Sequence, residues 1–398
     1  MRTNFLYGGT AVLILLTAAC SKSKVTPGNP GGTKPDTTSV VSAYLTKAEQ
    51  THDFIAANLL TSYGGCKANT TTEAGTAYEW YNASQIYADA AMVAAGQASY
   101  ATTMNNNFRW MAGLWDKNDP NGGYFAFANP DGTGSSGTKY VDDNSLTGVV
   151  YMEAYDVSTD ATIKASYLTA AENCANWLIK SGLWDTSFGG GFWWNTDKPN
   201  KPTQSNAIAL QLFLRLYKVT GQSLYHDWAV SVNTWLNAKM YGDNGLYIWQ
   251  IESNGTVDKQ NFTYDNAIML EDDLLYAAIM NDNSYLAKAQ AMGNAMIAVL
   301  WDSSHNVFIF NTSDRRMNGC YCGWASEAMI KLYEADNNSN WLTYAKGNID
   351  AINVVLRDPS SHGYYQYAGL DGAGRYTNLE GVDQAWMQRV QVMLSKYK

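Results

Sequence analysis

Apolar residues recur through most of this chain at the three- and four-residue spacing of helices that bury one face. One set of such runs begins at Leu146, Ile208, Ile268 and Ala325. Each run is followed by a second helical pattern, over residues 167–180, 225–238, 285–300 and 341–356. Strand-like pieces such as Phe192-Trp193-Trp194 are short and lie only between the runs. The pattern therefore predicts pairs of helices joined by loops, with no extended sheet.

A loop motif returns between these helix pairs. An apolar residue, often followed by Trp and Asp, precedes glycines and aromatic residues, and the copies begin at Leu60, Leu114, Leu183, Gly245, Leu300 and Leu356. Successive intervals are 54, 69, 117 (two units) and 56 residues. A period near 60 that occurs six times is typical of one repeating architecture. Six helical hairpins predict an all-α fold, an (α/α)6 toroid over residues 44–398 with short β-like loops at one end.

Residues 1–43 depart from the repeat. Met1-Arg2 is followed by a short apolar run at 11–16 and by small residues before Cys20, which resembles a bacterial lipobox. We expect a signal peptide over 1–19 and lipid attachment at Cys20, the alternative being an ordinary secretory signal with a chance cysteine. Residues 20–43 are rich in Ser, Lys, Pro, Gly and Thr and predict a flexible tether. We therefore expect the chain in the cell envelope, lipid-anchored on the periplasmic or cell-surface face.

The net charge of the chain limits the classes of partner that it is expected to bind. Lys and Arg total 27 and Asp and Glu total 36, a net charge of −9. Nucleic acids and anionic membrane surfaces attract basic faces, so we expect no nucleic-acid partner and membrane contact only through the lipid at Cys20. The four histidines fit no zinc motif, and neither a metal nor a cofactor is predicted. Cys66, Cys174, Cys320 and Cys322 are expected to be structural thiols.

Aromatic residues are abundant: the chain contains 14 Trp, 27 Tyr and 11 Phe. Many of them fall in the predicted loops, where packing of a helical core does not require them. Flat aromatic rings stack on the apolar faces of pyranose sugars. We interpret part of this set as the lining of a sugar-binding cleft and the rest as the core of a large helical domain.

The candidate chemistry lies at the starts of the first helices of the pairs, which the repeat brings to one end of the ring. Polar residues at such places are usually N-caps. Asp142-Asp143 differs, because two adjacent carboxylates repel each other. Near a helix N-terminus one Asp can stay ionised, and its charge raises the pKa of its neighbour. A carboxylate beside a carboxylic acid suits glycoside hydrolysis, and the sequence leaves open a spacing for retention or for inversion.

Other acids are weaker candidates at this end of the ring. Asp265 starts a helix two units after Asp143, and Glu380 and Asp383 occupy the matching place in the sixth unit. Each of these could bind a sugar hydroxyl, or could cap its helix and pair locally. The acids at 271–273 lie in mid-helix, and we interpret them as an exposed face or as partners of basic side chains.

Together these features resemble glycoside hydrolase family 76, the endo-α-1,6-mannanases, over about residues 45–398. The resemblance rests on Asp142-Asp143-Asn144, on the GGGFWW segment at 189–194, on Asn206-Ala207-Ile208, on Leu216-Tyr217 with Thr220-Gly221, and on Phe262-Thr263-Tyr264. It implies a retaining mechanism in which Asp142 is the nucleophile and Asp143 is the acid/base. It also implies α-mannan or manno-oligosaccharides as substrates.

Seven further positions are predicted to contact the substrate. They are Asn144, Trp193, Trp194, Asn206, Tyr264, Asp265 and Asp383. For the three aromatic residues, packing between loops is the alternative. The segments at 145–148 and 263–266 depart from the family pattern, so the linkage and the subsites stay open. Two other functions also stay open: a hydrolase of a different α-glycan, and a non-catalytic glycan-binding surface lipoprotein on the same toroid.

Overall fold

The computed structural model describes residues 42–397 of the chain. Twelve α-helices dominate this part. They are α1 (Ala43–Asn58), α2 (Glu79–Ala94), α3 (Ala101–Met111), α4 (Val141–Val157), α5 (Ala161–Lys180), α6 (Thr203–Thr220), α7 (Ser223–Lys239), α8 (Thr263–Met280), α9 (Asn283–Leu300), α10 (Gly319–Asp336), α11 (Asn340–Val355) and α12 (Gly381–Leu394). The predicted signal peptide, the lipid attachment at Cys20 and nearly all of the predicted tether lie outside the described residues.

Short strands lie in the loops that precede inner helices. They are β1 (Ala77–Tyr78), β2 (Phe127–Ala128), β3 (Asn200–Pro202), β4 (Gln250–Glu252), β5 (Val257–Asp258), β6 (Trp301–Asp302), β7 (Val307–Phe308), β8 (Met317–Asn318) and β9 (Tyr367–Ala368). They form small antiparallel sheets in the orders β1-β2, β3-β4-β5, β6-β7 and β8-β9. β1, β3 and β8 lead directly into α2, α6 and α10. The expected β-like loops are therefore present at the end where these helices begin.

The helices form two concentric rings. Each of α2, α4, α6, α8, α10 and α12 packs against the next, and α12 closes the inner ring against α2. Helices α3, α5, α7, α9 and α11 each cover the inner helix that precedes them, and α1 covers α12. The sixth pair is thus made from the first and last helices of the described part. The all-α toroid of six helix pairs predicted from the repeat is confirmed.

Burial separates inner helices from outer ones. The inner helix α6 is buried on every side over residues 205–214. The outer helix α5 buries one face, formed by Tyr167, Ala171, Cys174, Ala175, Trp177 and Leu178. Its first turn is largely exposed and is fixed by Asp160, whose carboxylate accepts the N–H groups of Thr162 (2.8 Å) and Ile163 (3.0 Å). Because the apolar pattern starts only after that turn, the sequence predicted this helix from 167 rather than from 161.

Charged side chains occupy the centre of the inner ring. Five inner helices contribute to this central ion cluster, through Glu153, Arg215, Glu271, Glu327, Lys331 and Arg389. The guanidinium of Arg389 lies 2.5 Å from Glu327, and Lys331 lies 2.7 Å from the same carboxylate. Lys331 also pairs with Glu271 at 2.7 Å, and Arg215 pairs with Glu153 at 3.0 Å. Opposite charges on neighbouring helices therefore link the ring from inside.

The acids at 271–273 are buried, so they do not form an exposed face. Glu271 belongs to the central ion cluster, and Asp273 pairs with Lys288 at 3.0 Å. Asp272 lies between them and faces the amide of Gln211. Of the two interpretations given for these acids, the structure shows pairing with basic side chains at Glu271 and Asp273.

The four cysteines of residues 42–397 are buried and unpaired. Burial raises the pKa of Cys322 to about 12 and that of Cys174 well above its usual value, so both remain thiols near neutral pH. This agrees with the structural role expected for them. Among the helices of the described part, none combines the length and the apolar character that crossing a bilayer requires.

Candidate active site

The starts of the inner helices surround a cleft of about 740 Å³. Its walls are mainly aromatic and include Tyr78, Trp80, Tyr81, Phe127, Tyr140, Trp194, Trp249, Tyr264 and Tyr321. Polar groups in the same walls include Glu73, Asn200, Gln204, Gln250, Asp142 and Asp143. The first turns of α2, α4, α6, α8 and α10 all contribute. The structure therefore gathers the helix starts around one concave site, lined as a carbohydrate site would be.

Asp142 lies in the first turn of α4, lines this cleft and is only 7% exposed. The indole N–H of Trp194 donates to both carboxylate oxygens, at 3.0 Å each. Burial raises the pKa of Asp142 to about 6, and Trp194 and the backbone N–H groups of Asp142 and Asp143 oppose that rise. Of Asp142 and Asp143, Asp142 is consequently the carboxyl that is better prepared to be ionised at neutral pH.

Asp143 follows in the same turn and also lines the cleft. Burial, the carboxyl of Glu79 and the carboxyl of Asp142 all raise its pKa well above the usual value. Burial also raises the pKa of Glu79 to about 8. The cluster thus favours one ionised carboxyl, Asp142, beside protonated acids, which is the division of roles that acid-assisted nucleophilic catalysis requires.

Two of the three predicted aromatic contacts reach the cleft. Trp194 packs against Tyr140 with ring centroids 4.9 Å apart, and Tyr264 packs against Tyr321 at the same distance. All four rings line the cavity. The two pairs provide flat apolar surfaces near the carboxyls.

Trp193 does not line the cleft. Its indole N–H donates to Asp185 at 2.6 Å, and the ammonium of Lys201 lies 4.8 Å from the centre of its ring. Lys201 also bonds Asp185 at 2.7 Å and the carbonyl of Gly190 at 2.8 Å. The ring therefore packs between loops, as the alternative interpretation held, and substrate contact by Trp193 is not supported by its position.

The predicted amides Asn144 and Asn206 are fully buried and do not reach the cleft. Asn144 accepts the backbone N–H of Tyr124 at 2.7 Å, and its amide donates to the carbonyls of Tyr124 (3.2 Å) and Tyr140 (2.9 Å). Asn206 makes the same three bonds with Phe192 and Pro202. Both amides are occupied by backbone, and each clamps a glycine-aromatic turn to the inner helix that follows. Sugar contact at these two positions stays a prediction.

This amide clamp recurs around the ring. The residues in equivalent positions are Asn82, Asn266 and Gln384, which accept the backbone N–H groups of Cys66, Tyr247 and Tyr364 at 2.6–2.7 Å. None of the helices concerned has a side-chain N-cap. These amides at the helix starts thus hold the loops in place, whereas the sequence had suggested that polar residues there cap the helices.

Asp265 and Asp383 are also buried and lie outside the cleft walls. Asp265 faces the backbone N–H of Gln204, and Asp383 accepts the backbone N–H of Cys320 at 2.8 Å. Glu380 accepts hydrogen bonds from Asn69 (3.2 Å) and Asn378 (2.6 Å). Local pairing, the alternative stated for these acids, is present at Asp383 and Glu380, whereas neither carboxylate oxygen of Asp265 has a hydrogen-bond partner among residues 42–397. Contact with a sugar would require these buried acids to become accessible.

Sequence reasoning missed several residues that the fold brings to the site. Glu79, Trp80 and Tyr81 start α2, and Tyr321 starts α10, in units whose loop motifs are weak or lack a carboxyl pair. Gln204 is the second residue of α6 and lies two residues before the predicted Asn206. The available signal was the aligned repeat itself, because five of the six units contribute their helix starts to the cleft, whatever residues stand there.

A ring of six helix pairs with a carboxyl pair lining an aromatic cleft defines a carbohydrate-active protein of the α/α-toroid class. The family model for glycosyl hydrolase family 76 matches residues 45–278, which is more than half of the chain. The chain belongs to glycosyl hydrolase family 76. The match contains Glu79, Asp142, Asp143 and Trp194, and the resemblance noted in the sequence is confirmed at the level of the family.

Individual relatives agree with this assignment. The chain is 30% identical over 149 residues to the mannan endo-1,6-alpha-mannosidase of Candida glabrata, an alignment that covers 34% of this chain and 33% of that protein. The chain thus spans about a third of the length of that curated relative. Among solved structures, a family 76 α-mannanase of Bacteroides thetaiotaomicron is 20% identical, with a TM-score of 0.77 over 89% of this chain and 96% of that chain.

A second solved structure contains a ligand. It is an inactive variant of an α-1,6-mannanase of Salegentibacter sp., with two consecutive aspartates changed to asparagine, in complex with α-1,6-mannotriose. It is 16% identical to this chain, with a TM-score of 0.70 over 89% of this chain and 98% of that chain. At these identities the two solved structures support the shared fold.

Proposed function

We propose that this protein is a retaining, endo-acting glycoside hydrolase that cleaves α-1,6-mannan backbones, with Asp142 as nucleophile and Asp143 as acid/base. The observation that carries the proposal is the unequal environment of the two carboxyls. Trp194 donates to both oxygens of Asp142, whereas Glu79 and Asp142 both disfavour a charge on Asp143. Family membership and the mannan-cleaving relatives supply the substrate class.

The reaction follows from this division. A carboxylate oxygen of Asp142 attacks the anomeric carbon, while the carboxylic acid of Asp143 protonates the departing glycosidic oxygen. The product is a glycosyl ester on Asp142 and a carboxylate on Asp143. That carboxylate then takes a proton from water, the water oxygen attacks the anomeric carbon, and Asp142 leaves as a carboxylate. Two inversions at the same carbon give net retention.

The shape of the cleft suits a neutral oligosaccharide. Aromatic rings of Tyr81, Tyr140, Trp249 and Tyr264 lie in the same walls as the amides of Gln204 and Gln250. Rings can stack on pyranose faces, and amides can bind hydroxyl groups as donors and acceptors. No lysine or arginine is among the cleft-lining residues of the described part, which fits an uncharged substrate.

The direct test uses the purified protein on debranched α-1,6-mannan, with Asp142→Asn and Asp143→Asn in parallel. We expect the parent to release short manno-oligosaccharides and both variants to release none. Proton NMR of the first products should show the α-anomer, as retention requires. An initial β-product would overturn the retaining mechanism, and full activity in either variant would overturn the residue assignment.

Two alternatives are decided by the same experiment. Binding of mannan without release of products would indicate the glycan-binding lipoprotein. If the protein neither binds nor cleaves mannan, the substrate is a different α-glycan, which a panel of α-linked polysaccharides would identify.

We also propose that the protein acts in the cell envelope, held by a lipid on Cys20 after removal of residues 1–19. The basic start, the short apolar run and the small residues before the cysteine support this location. Mass spectrometry of the N-terminal peptide from the native host is expected to show a lipidated cysteine. A mature chain starting elsewhere would contradict the anchor but not the hydrolase.

A further inference from the structure

A third carboxyl is buried against the catalytic pair. Glu79 is the first residue of α2, and its side chain is fully buried. The hydroxyl of Thr147 donates a hydrogen bond to Oε1, while Oε2 has no hydrogen-bond partner among residues 42–397. Thr147 lies one helical turn after Asp143 in α4, so both side chains project from the same face of that helix. Glu79 therefore packs against the face that carries Asp143.

The surroundings of Glu79 contain acids and no counter-charge. The groups that interact electrostatically with it are Asp142, Asp143, Tyr124, Tyr151 and Cys174, from α4, the turn before α4, and α5. No basic side chain of the described part is among them. A buried carboxylate with one hydrogen bond and no cation is unfavourable, so Glu79 holds its proton near neutral pH, where burial raises its pKa to about 8.

We propose that Glu79 is a positioning residue for Asp143: as pH rises, this buried carboxyl loses its proton first, and its negative charge then keeps the acid/base protonated. The proposal rests on the proposed function, because it presupposes that Asp143 delivers a proton. Asp142 carries the single negative charge of the resting cluster, where Trp194 donates to it. A second negative charge would have to form on Asp143 or Glu79, and each opposes ionisation of the other.

The reaction keeps this charge constant. When the ester forms on Asp142, its charge is lost, and the proton given up by Asp143 leaves one charge there. When water is deprotonated, Asp143 becomes neutral and Asp142 leaves as the carboxylate. Glu79 stays neutral through both steps, so the buried site never holds two negative charges.

The test is the pH dependence of kcat/KM in Glu79→Gln. Glutamine is neutral, has nearly the same shape and can still accept the Thr147 hydroxyl. Below pH 6 we expect a rate within about two-fold of the parent, because Glu79 is protonated there as well. The alkaline limb should move to lower pH by roughly one unit, because Asp143 ionises without opposition from a second carboxyl. Glu79→Asp keeps a carboxyl, so it should return the alkaline limb part of the way to its position in the parent.

Asp272→Asn is the matched control. Asp272 is another fully buried carboxyl, in the middle of α8 and facing Gln211, and it does not line the cleft. We expect its alkaline limb to coincide with that of the parent. Thr147→Val provides a second variant in case Glu79→Gln does not fold. Loss of the hydroxyl keeps Glu79 neutral to higher pH, so the limb should move in the same direction by less.

A measurement without substrate separates this proposal from the proposed function. Carboxyl ¹³C titration of the free protein, assigned with Asp142→Asn, Asp143→Asn and Glu79→Gln, reports the pKa of Asp143 directly. We expect that pKa to fall in Glu79→Gln. An unchanged Asp143 titration, or an alkaline limb that stays in place, would overturn the role of Glu79. A parent that fails to cleave mannan would instead overturn the proposed function and leave the titration readable.

Discussion

Trp194 donates its indole N–H to both carboxylate oxygens of Asp142, at 3.0 Å each. This contact favours the ionised form of Asp142, the proposed nucleophile, against the burial that raises its pKa to about 6. Trp194→Phe keeps an aromatic ring and removes the donor, so the pKa of Asp142 should rise. We expect kcat to fall roughly 10- to 100-fold, since a hydrogen bond to a charged group contributes about 1.5–3 kcal/mol. The acidic limb of the pH–rate profile should move to higher pH.

Trp193→Phe is the matched control for that change. The neighbouring indole donates to Asp185 and not to Asp142. Its removal should leave the acidic limb where it is in the parent, even if the loop loses some stability. An acidic limb in Trp194→Phe that coincides with the parent would contradict the role given to this hydrogen bond.

The central ion cluster predicts a large loss of stability when one cation is removed. Arg389 pairs with Glu327 at 2.5 Å and with Glu153 at 3.6 Å, and its guanidinium lies 3.2 Å from the ring centre of Tyr87. Arg389→Met would leave a buried carboxylate short of a partner. We expect the free energy of unfolding in urea to fall by about 3–5 kcal/mol. The double variant with Arg389→Met and Glu327→Gln should recover part of this free energy. Equal losses in the single and the double variant would contradict the pairing.

Glu79 should make the protein less stable as pH rises. Its pKa is near 4.5 in an unfolded chain and is raised to about 8 by burial in the folded protein. The folded protein therefore holds this proton more tightly between those values. The stabilising contribution is complete below pH 4.5 and is lost as pH rises through 8, amounting to at most about 5 kcal/mol.

Urea unfolding of the parent and of Glu79→Gln at pH 5 and pH 8 measures this contribution. Asp142, Glu271 and Asp273 also have raised pKa values, so the parent alone does not isolate one group. We expect the free energy of unfolding to fall more between the two pH values in the parent than in the variant. Parallel losses would show that Glu79 titrates normally.

Asn206→Ala tests the amide clamp against the substrate contact predicted from the sequence. The change would leave the N–H of Phe192 and two backbone carbonyls without partners in a buried place. We expect a loss of roughly 2–4 kcal/mol in the free energy of unfolding, with KM for mannan close to that of the parent. A raised KM with unchanged thermal stability would instead favour contact with the sugar.

Much of the fold could be predicted because it repeats. The apolar periodicity located the helix pairs, and the glycine-aromatic motif placed their loops at one end. The carboxyl pair could be recognised because Asp142-Asp143 is local in the chain and chemically unusual for two caps. The direction of a side chain could not be predicted: Trp193 and Trp194 are adjacent, yet one indole bonds Asp185 and the other bonds Asp142.

Two other positions could not be interpreted from the sequence for a related reason. An amide such as Asn144 offers the same donors and acceptors to a backbone turn as to a sugar, so composition alone does not decide between them. Glu79 could not be recognised because its partner Thr147 lies 68 residues away, and only the packing of α2 against α4 brings them together. Contacts between units, rather than patterns within one unit, decided these positions.

The pairing of α1 with α12 also has a consequence for biosynthesis. An open solenoid can fold behind the ribosome repeat by repeat, because each unit contacts only its neighbours. Here α12 is synthesised after the eleven helices that precede it, and until it arrives α1 lacks its inner partner and the flanks of α2 and α10 stay uncovered. The growing chain must therefore carry an open crescent with exposed apolar edges, and its vulnerability to aggregation ends only when that crescent closes.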